Sequence, residues 1–240
     1  MLRFLPVPEK IVVQPGPPPA LDPSLEEEVE AVWQTERDRR GSTLFDGPIF
    51  SLEQISPQAI SGRFVGYRLF IAQERRPNLF CELRVQPLAV TGILQNPDGL
   101  FLGYRNSAVA VQSNCWEFIP AGGIDRSTLT HEGRLCPAQQ VLTELREEVG
   151  IAGGAVASPR LLCFTEEPLR HIFELVWELK TLLDRDAVLR AHSALVHSEH
   201  SKIRFLHWMD LAGLLERDRD AVLPATRDLM EHLFLQKENP

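Results

Sequence analysis

Residues 120–125 read Pro-Ala-Gly-Gly-Ile-Asp, and residues 136–151 read Cys-Pro-Ala-Gln-Gln-Val-Leu-Thr-Glu-Leu-Arg-Glu-Glu-Val-Gly-Ile. The second stretch predicts one helix, with Pro137 suited to its first turn and Gly150 to the position just past its end. Glu144, Glu147 and Glu148 stand at i, i+3 and i+4, so an α-helix gathers the three carboxylates on one face. Val141, Leu145 and Val149 form a neighbouring apolar stripe that docks the helix on a core. Three like charges on one turn repel each other unless a cation sits among them. Hard oxygen donors at this spacing suit Mg²⁺, with Mn²⁺ able to substitute, and such an ion can in turn hold a diphosphate.

A solvated acidic face would show the same Glu-x-x-Glu-Glu spacing. What separates the two readings is the surroundings: a strand at residues 116–119 entering the Pro-Ala-Gly-Gly turn, then the helix, then Gly-Ile at its end. This strand–loop–helix order resembles the Nudix box, whose pattern is Gly, five residues, Glu, seven residues, then Arg-Glu-apolar-x-Glu-Glu-x-Gly-apolar. Glu144 to Ile151 matches its C-terminal part position for position. Two positions depart: the Arg of the pattern falls on Thr143, and its earlier Glu on Leu135. Gly122 also precedes Leu135 by 13 residues instead of 6, which implies a seven-residue insertion within residues 126–134. Glu132 is a candidate substitute for the missing Glu, and the insertion a candidate lid.

Composition narrows the function classes. A chain of 240 residues, 44% hydrophobic, can bury a sizeable core. A net charge of −8 argues against nucleic acid as a partner, because phosphate contacts need clustered Lys and Arg. Cys81, Cys115, Cys136 and Cys163 include no Cys-x-x-Cys pair, so they are expected as reduced thiols in or near the core. Pro6 and Pro8 with Glu9 and Lys10 interrupt any apolar run near the start, and no stretch approaches a membrane span. A soluble, cytoplasmic protein without membrane contact is the expectation.

Along the chain, residues 1–23 are proline-rich and predict an extended arm after a short strand at residues 10–13. A helix follows, opened by a Ser24/Glu27 capping pair and carrying Leu25, Val29, Val32 and Trp33 on an apolar stripe. Residues 44–50 and 63–69 read as strands. Residues 88–94 and 100–105 predict a hairpin about Gln95-Asn96-Pro97-Asp98-Gly99. Residues 160–165 predict a strand and 165–170 a loop. Residues 171–180 alternate as a central strand with Glu174 on the face opposite Phe173, pointing either into the site or, the favoured reading, to solvent. A polar loop at residues 192–202, a strand at 203–208, a short helix at 210–216 and a packing helix at 225–235 complete the reading.

The resemblance implies an α/β fold, a Nudix α/β/α sandwich with a mixed sheet at residues 85–240, preceded by a small N-terminal α+β module at residues 1–84. It implies metal ligation by Glu144, Glu147, Glu148 and the carbonyl of Ala121, with Glu148 the residue whose loss costs most. Gly122 and Gly123 would let the loop approach the substrate closely. Arg105 is expected at the site mouth, set against phosphate or simply solvated at its strand end. Glu199, in the loop before the last strand, is the expected general base, with the flanking His197 and His200 as alternatives for that role. With Thr143 in place of Arg, orientation of the glutamates falls to another group such as Arg146. The helix around Trp33 and the following Leu44-Phe45-Asp46-Gly47-Pro48 resemble the region before the fold in the UDP-glucose-hydrolysing branch. That implies cleavage of UDP-glucose or UDP-galactose to UMP and a sugar 1-phosphate. The alternatives are an ADP-ribose or ADP-sugar pyrophosphatase, as the Pro120–Asp125 loop resembles, or a non-catalytic nucleotide-binding module; a homodimer stays open.

Overall fold

The alternation of residues 172–180 becomes an interior strand because both of its faces find apolar cover. The structure, a computed structural model, describes residues 1–13, 18, 20–41, 44–107, 109 and 111–235. Residues 14–17 and 19 of the expected proline-rich arm lie outside the described residues. The N-terminal part forms β1 (Arg3–Leu5), β2 (Ile11–Val13), α1 (Pro23–Arg40), β3 (Pro48–Ile55), β4 (Ile60–Gly66), α2 (Tyr67–Arg75) and α3 (Phe80–Leu83). There follow β5 (Leu88–Asn96), β6 (Gly99–Arg105), β7 (Trp116–Phe118), β8 (Ala121–Gly123) and α4 (Pro137–Glu144). The chain goes on through β9 (Arg160–Glu167), β10 (Ile172–Lys180), α5 (Arg185–Ser193), β11 (His200–His207), α6 (Leu211–Arg217) and α7 (Pro224–Met230).

The main sheet runs β1-β9-β10-β5-β6-β11, with β10 and β5 parallel and the other neighbours antiparallel. Phe173, Leu175, Trp177 and Leu179 of β10 pack in one cluster with Val141, Leu145, Val149 and Val188. Val176, Ile93, Leu100 and Leu206 pack on the other side with Leu211, Leu214, Leu229 and Met230. The fold is therefore α/β, a mixed sheet with helices on both faces. Among the described residues no helix is long and apolar enough to cross a membrane.

The β5–β6 hairpin closes at its tip, where Asn96 Oδ1 accepts the N–H groups of Asp98 (3.0 Å) and Gly99 (3.1 Å). After two rungs, Gln95 with Leu100 and Asn96 with Gly99, the strands part. Residues 116–123 fill the gap: β7 pairs with β6, β8 pairs with β5, and Gly92 N–H donates to the Pro120 carbonyl at 2.6 Å. The sequence predicts a continuous hairpin, because alternation within each strand does not reveal what lies between them.

The N-terminal part departs more from its expected boundaries. Asp22, not Ser24, caps α1, its carboxylate accepting Ser24 N–H at 2.9 Å, with Pro23 at the first position. The strand expected at residues 63–69 ends at Gly66, and Leu69 belongs to α2. The period changes there, since Ile60 and Phe64 are buried on β4 while Phe70, Ile71 and Ala72 are buried on α2. Trp33 is a core residue, packed with Leu44 and Ile71. Strands β2, β4 and β3 form a second sheet whose Ile11, Phe50, Leu52, Ile60 and Phe64 join the main-sheet cluster.

The insertion within residues 126–134 leads into that second sheet. Leu135 N–H donates to the Ile11 carbonyl (3.1 Å), Arg134 bridges Val12, and the Arg126 guanidinium lies 5.0 Å from the centre of the Phe64 ring. Leu135 is a buried core residue. Glu132 is 72% exposed beside Arg134 and does not take the place of a site carboxylate. Three further expectations change. Cys81 and Cys136 are exposed, and only Cys115 and Cys163 are half-buried. Strand β9 runs on to Glu167, and the polar loop at residues 192–202 shrinks between α5 and β11.

Candidate active site

Helix α4 does not keep an α-helical period to its end. From Leu145 to Val149 it widens into a π turn, closed by Gly150 in the left-handed region (φ 77°). A wider turn advances through a smaller angle per residue. A residue four positions on then stays above Glu144 while one three positions on falls behind. Glu148 accordingly turns inward, its side chain 6% exposed, and Glu147 outward, 59% exposed beside Arg146 at 3.6 Å. The shared face predicted for all three carboxylates holds for Glu144 and Glu148 as a pair, with Glu147 at the rim.

Glu144 is held by Gln140, one turn back, whose Nε2 donates to Oε1 at 2.8 Å. Thr143, where an arginine was expected, bonds only the Gln139 carbonyl (3.1 Å), and Arg146 is 69% exposed. Gln140, buried and one helical turn from Glu144, is the orienting group that the sequence reading passed over. Gly122 leaves room for the Glu144 carboxylate, which a β-carbon there would displace. Gly123 has open space at the same position. Glu148 Oε2 accepts the Ala121 N–H at 2.9 Å, so the Pro120–Asp125 loop is fastened directly to the helix.

The electrostatics are those of a carboxylate cluster short of cations. Burial pushes the Glu144 carboxyl up to about 7; the Gln140 hydrogen bond opposes this, and the charges of Glu147, Glu199 and Asp125 reinforce it. Glu148 is raised well above the carboxylate range by burial, with Ala121 N–H pulling down and Glu117, Glu199 and Glu144 pushing up. Glu174, expected in solvent, instead faces the same cavity, where burial lifts it to about 7 against a 3.2 Å hydrogen bond from Thr91. On β10 it pairs with Ala89, at the start of β5, where the partner on the other side of β5 is β8.

These groups line a cavity of about 780 Å³ whose described walls carry seven glutamates and three arginines. Each arginine is already engaged: Arg40 with Glu36 and the Val109 carbonyl, Arg170 with Glu74, and Arg105 with Glu117. Arg105 stands on the cavity wall as expected, but its guanidinium is turned to Glu117 (2.6 Å) and the Val111 carbonyl (3.0 Å). Glu199 and His197 sit exposed on the cavity rim, and His200 is buried behind it. Across the cavity stand Leu44, Phe45, Ile49, Tyr67 and Phe70 of the N-terminal part. Among the described residues no three Asp, Glu, His or Cys side chains close into a ready-made ion cage. The donor set nevertheless fits a hard divalent cation: Glu144 and Glu148 are desolvated oxygen donors whose mutual repulsion a cation would relieve.

Glu117 was missed by the sequence reading, although a lone charge between Trp116 and Phe118 in an apolar strand is a legible signal.

No family model matches the chain, and no curated protein sequence matches it. Several solved structures are similar in part. A Deinococcus radiodurans protein is 17% identical over 62% of this chain and 83% of its own, with a TM-score of 0.44. A Nudix hydrolase from Nitrosomonas europaea is 12% identical over 64% and 92%, with a TM-score of 0.44. A bifunctional NMN adenylyltransferase/ADP ribose pyrophosphatase from Francisella tularensis, complexed with AMP and a Mn ion, is 14% identical over 68% and 48%, with a TM-score of 0.44.

Proposed function

We propose that the chain is a Nudix-type, divalent-metal-dependent hydrolase that cleaves the diphosphate of a nucleoside-diphosphate sugar, with UDP-glucose or UDP-galactose yielding UMP and a sugar 1-phosphate. The observation that carries the reading is the pairing of Glu144 and Glu148 on a widened helical turn against Ala121 and Gly122, in a cavity with more carboxylates than arginines. An anionic substrate cannot enter such a cavity favourably unless cations offset the glutamates. Glu144 and Glu148 would hold the ion, with Glu147 and the Ala121 carbonyl completing its shell. The bound ion would neutralise diphosphate charge and lower the pKa of a water molecule.

The chain's own groups do the rest. Gln140 fixes the rotamer of Glu144, and Ala121 N–H fixes one oxygen of Glu148. Glu199, whose carbonyl accepts Asn106 N–H at 2.8 Å, stands at the rim as the acceptor for the proton of the attacking water. The apolar wall of Leu44, Phe45, Ile49, Tyr67 and Phe70 excludes water from one side and offers ring faces to a nucleobase. ADP-ribose is the second reading, supported by the Pro-Ala-Gly-Gly-Ile-Asp loop.

Phosphorus NMR of the purified protein with Mg²⁺ and, separately, UDP-glucose, UDP-galactose and ADP-ribose tests the choice. UMP with sugar 1-phosphate, abolished in Glu148→Gln, is the expected result. Turnover of ADP-ribose alone selects the second reading, and turnover of none leaves a nucleotide-binding module.

A further inference from the structure

The floor of the cavity carries a carboxyl that none of the steps above uses. Pairing across three strands sets Gly123 of β8, Ala89 of β5 and Glu174 of β10 in one row, with their side-chain positions on one face of the sheet. All three line the cavity. A β-carbon at Gly123 would meet nothing within 4 Å, and Ala89 adds only a methyl group, so the row is open from Gly123 to Glu174. Two strand spacings, about 10 Å, separate its ends. At the near end the loop that carries Gly123 is fastened to Glu148 through the Ala121 N–H. At the far end stands Glu174.

Nothing inside the chain saturates that carboxyl. Among the described residues its side chain has one hydrogen bond, from Thr91 Oγ1 to Oε2 at 3.2 Å, and Oε1 has none. Thr165, next in the row on β9 and fully buried, has a hydroxyl without a partner. Arg170, the cation whose charge acts on Glu174, is already committed: Nε and Nη2 donate to Glu74 at 3.0 and 2.8 Å, and Nη1 donates to Gln112. An anionic group at this end would therefore meet Glu174 and Glu167 with their nearest arginine engaged elsewhere. A neutral hydroxyl meets an open acceptor instead. It donates to a carboxylate, and it matches a protonated carboxyl as well because it both donates and accepts.

We propose that Glu174, supported by Thr91, determines what lies beyond the second phosphate of the substrate, accepting the hydroxyls of a neutral sugar and disfavouring a further phosphate. This rests on the hydrolytic reading above but not on its choice of nucleobase, since the sugar side of ADP-ribose also carries hydroxyls. The two small positions of the row leave the sugar its place between the loop and Glu174. Glu174 touches the sugar and takes no part in bond breaking.

Two substitutions test this. Glu174→Leu removes both oxygens, and Glu174→Gln keeps one acceptor; thermal midpoints at or above that of the wild type check that each is folded. With Mg²⁺ and UDP-glucose, KM should rise about 10- to 100-fold in Glu174→Leu and about three- to tenfold in Glu174→Gln, with kcat changed less than about threefold. UDP, which lacks the sugar, should inhibit the wild type and both variants with constants equal within about twofold. If ADP-ribose is the substrate hydrolysed, the same comparison is made with ADP-ribose and ADP. A KM unchanged in the folded variants overturns the inference and leaves the hydrolytic reading standing. Inhibition by UDP that weakens in step with KM also overturns it, because Glu174 would then serve the nucleoside or the phosphates. A wild type that turns over neither substrate removes the hydrolytic reading, and calorimetry of UDP-glucose and UDP with Mg²⁺ then decides the subsite by itself. A wild-type preference for UDP-glucose of at least about tenfold that disappears in Glu174→Leu sustains the inference, and the lack of such a preference overturns it.

Discussion

Two buried carboxylates, Glu36 in α1 and Glu148 in the turn after α4, are equally enclosed, each side chain 6% exposed, and meet opposite surroundings. Glu36 is gripped by Arg75 Nε (2.9 Å), Arg39 (2.8 Å) and Arg40 (3.2 Å). The Arg75 hydrogen bond leads in holding its pKa at about 2 in spite of burial. Glu148 receives one backbone N–H, and its burial, reinforced by the charges of Glu117, Glu199 and Glu144, drives it the other way. A carboxylate whose task is structural is neutralised inside the chain. A carboxylate left unneutralised in a cavity is held ready for a charge from outside.

The largest effect expected from this contrast is on turnover. Glu148→Gln should lower kcat by at least about 100-fold, beyond the usual cost of disturbing a group that only orients a metal ligand. Its thermal midpoint should not fall, because the substitution removes a carboxyl that burial and the neighbouring glutamates make costly to ionise. A clear drop in stability would mean that Glu148 is structural, as Glu36 is.

Glu36→Gln should do the reverse, costing about 2–3 kcal/mol in urea unfolding at pH 7 while leaving kcat at 20 °C unchanged. The folded pKa of Glu36 is depressed from 4.5 to about 2. Its contribution is therefore complete above about pH 4.5 and lost as pH falls through about 2. A urea series between pH 2 and 7 should show that acid slope in the wild type and a shallower one in the variant.

Glu174 gives a smaller effect of opposite sign. Its folded pKa is raised from 4.5 to about 7, so its burial costs stability in full above about pH 7, and the cost shrinks as pH falls from 7 and is gone below about 4.5. Glu174→Gln should gain about 1–3 kcal/mol at pH 8 and nothing at pH 4, read from the same denaturation curves. The smallest effect is expected at Gly122→Ala, where the added methyl displaces the Glu144 carboxylate. Stability should change by less than about 0.5 kcal/mol. Activity should fall by several-fold, which a kinetic assay reads directly.

The sequence made legible what depends on local periodicity. The alternation of residues 172–180, the stripe of Val141, Leu145 and Val149, and the Gly150 stop each appear in the structure, while His171 falls in the turn before the strand. It did not reveal the π turn, which follows from how the helix end packs and so separates Glu147 from Glu144 and Glu148. Nor did it reveal the parting of β5 and β6, because the cause is the chain at residues 116–123 inserted from outside the hairpin. The engaged state of Arg105 was also hidden, since Glu117 lies twelve residues away on another strand. Thr143 and Leu135 were readable as losses, but their compensation was not: Gln140 orients Glu144 from one turn back, and Leu135 serves the core shared with the second sheet.

The central claim is that the carboxylates of the cavity await a cation and those of α1 do not. Calorimetric titration of Mn²⁺ into the wild type, Glu148→Gln and Glu36→Gln tests it most directly. The account predicts saturable binding by the wild type and by Glu36→Gln, and its loss in Glu148→Gln. Equal binding by Glu148→Gln and the wild type would contradict it.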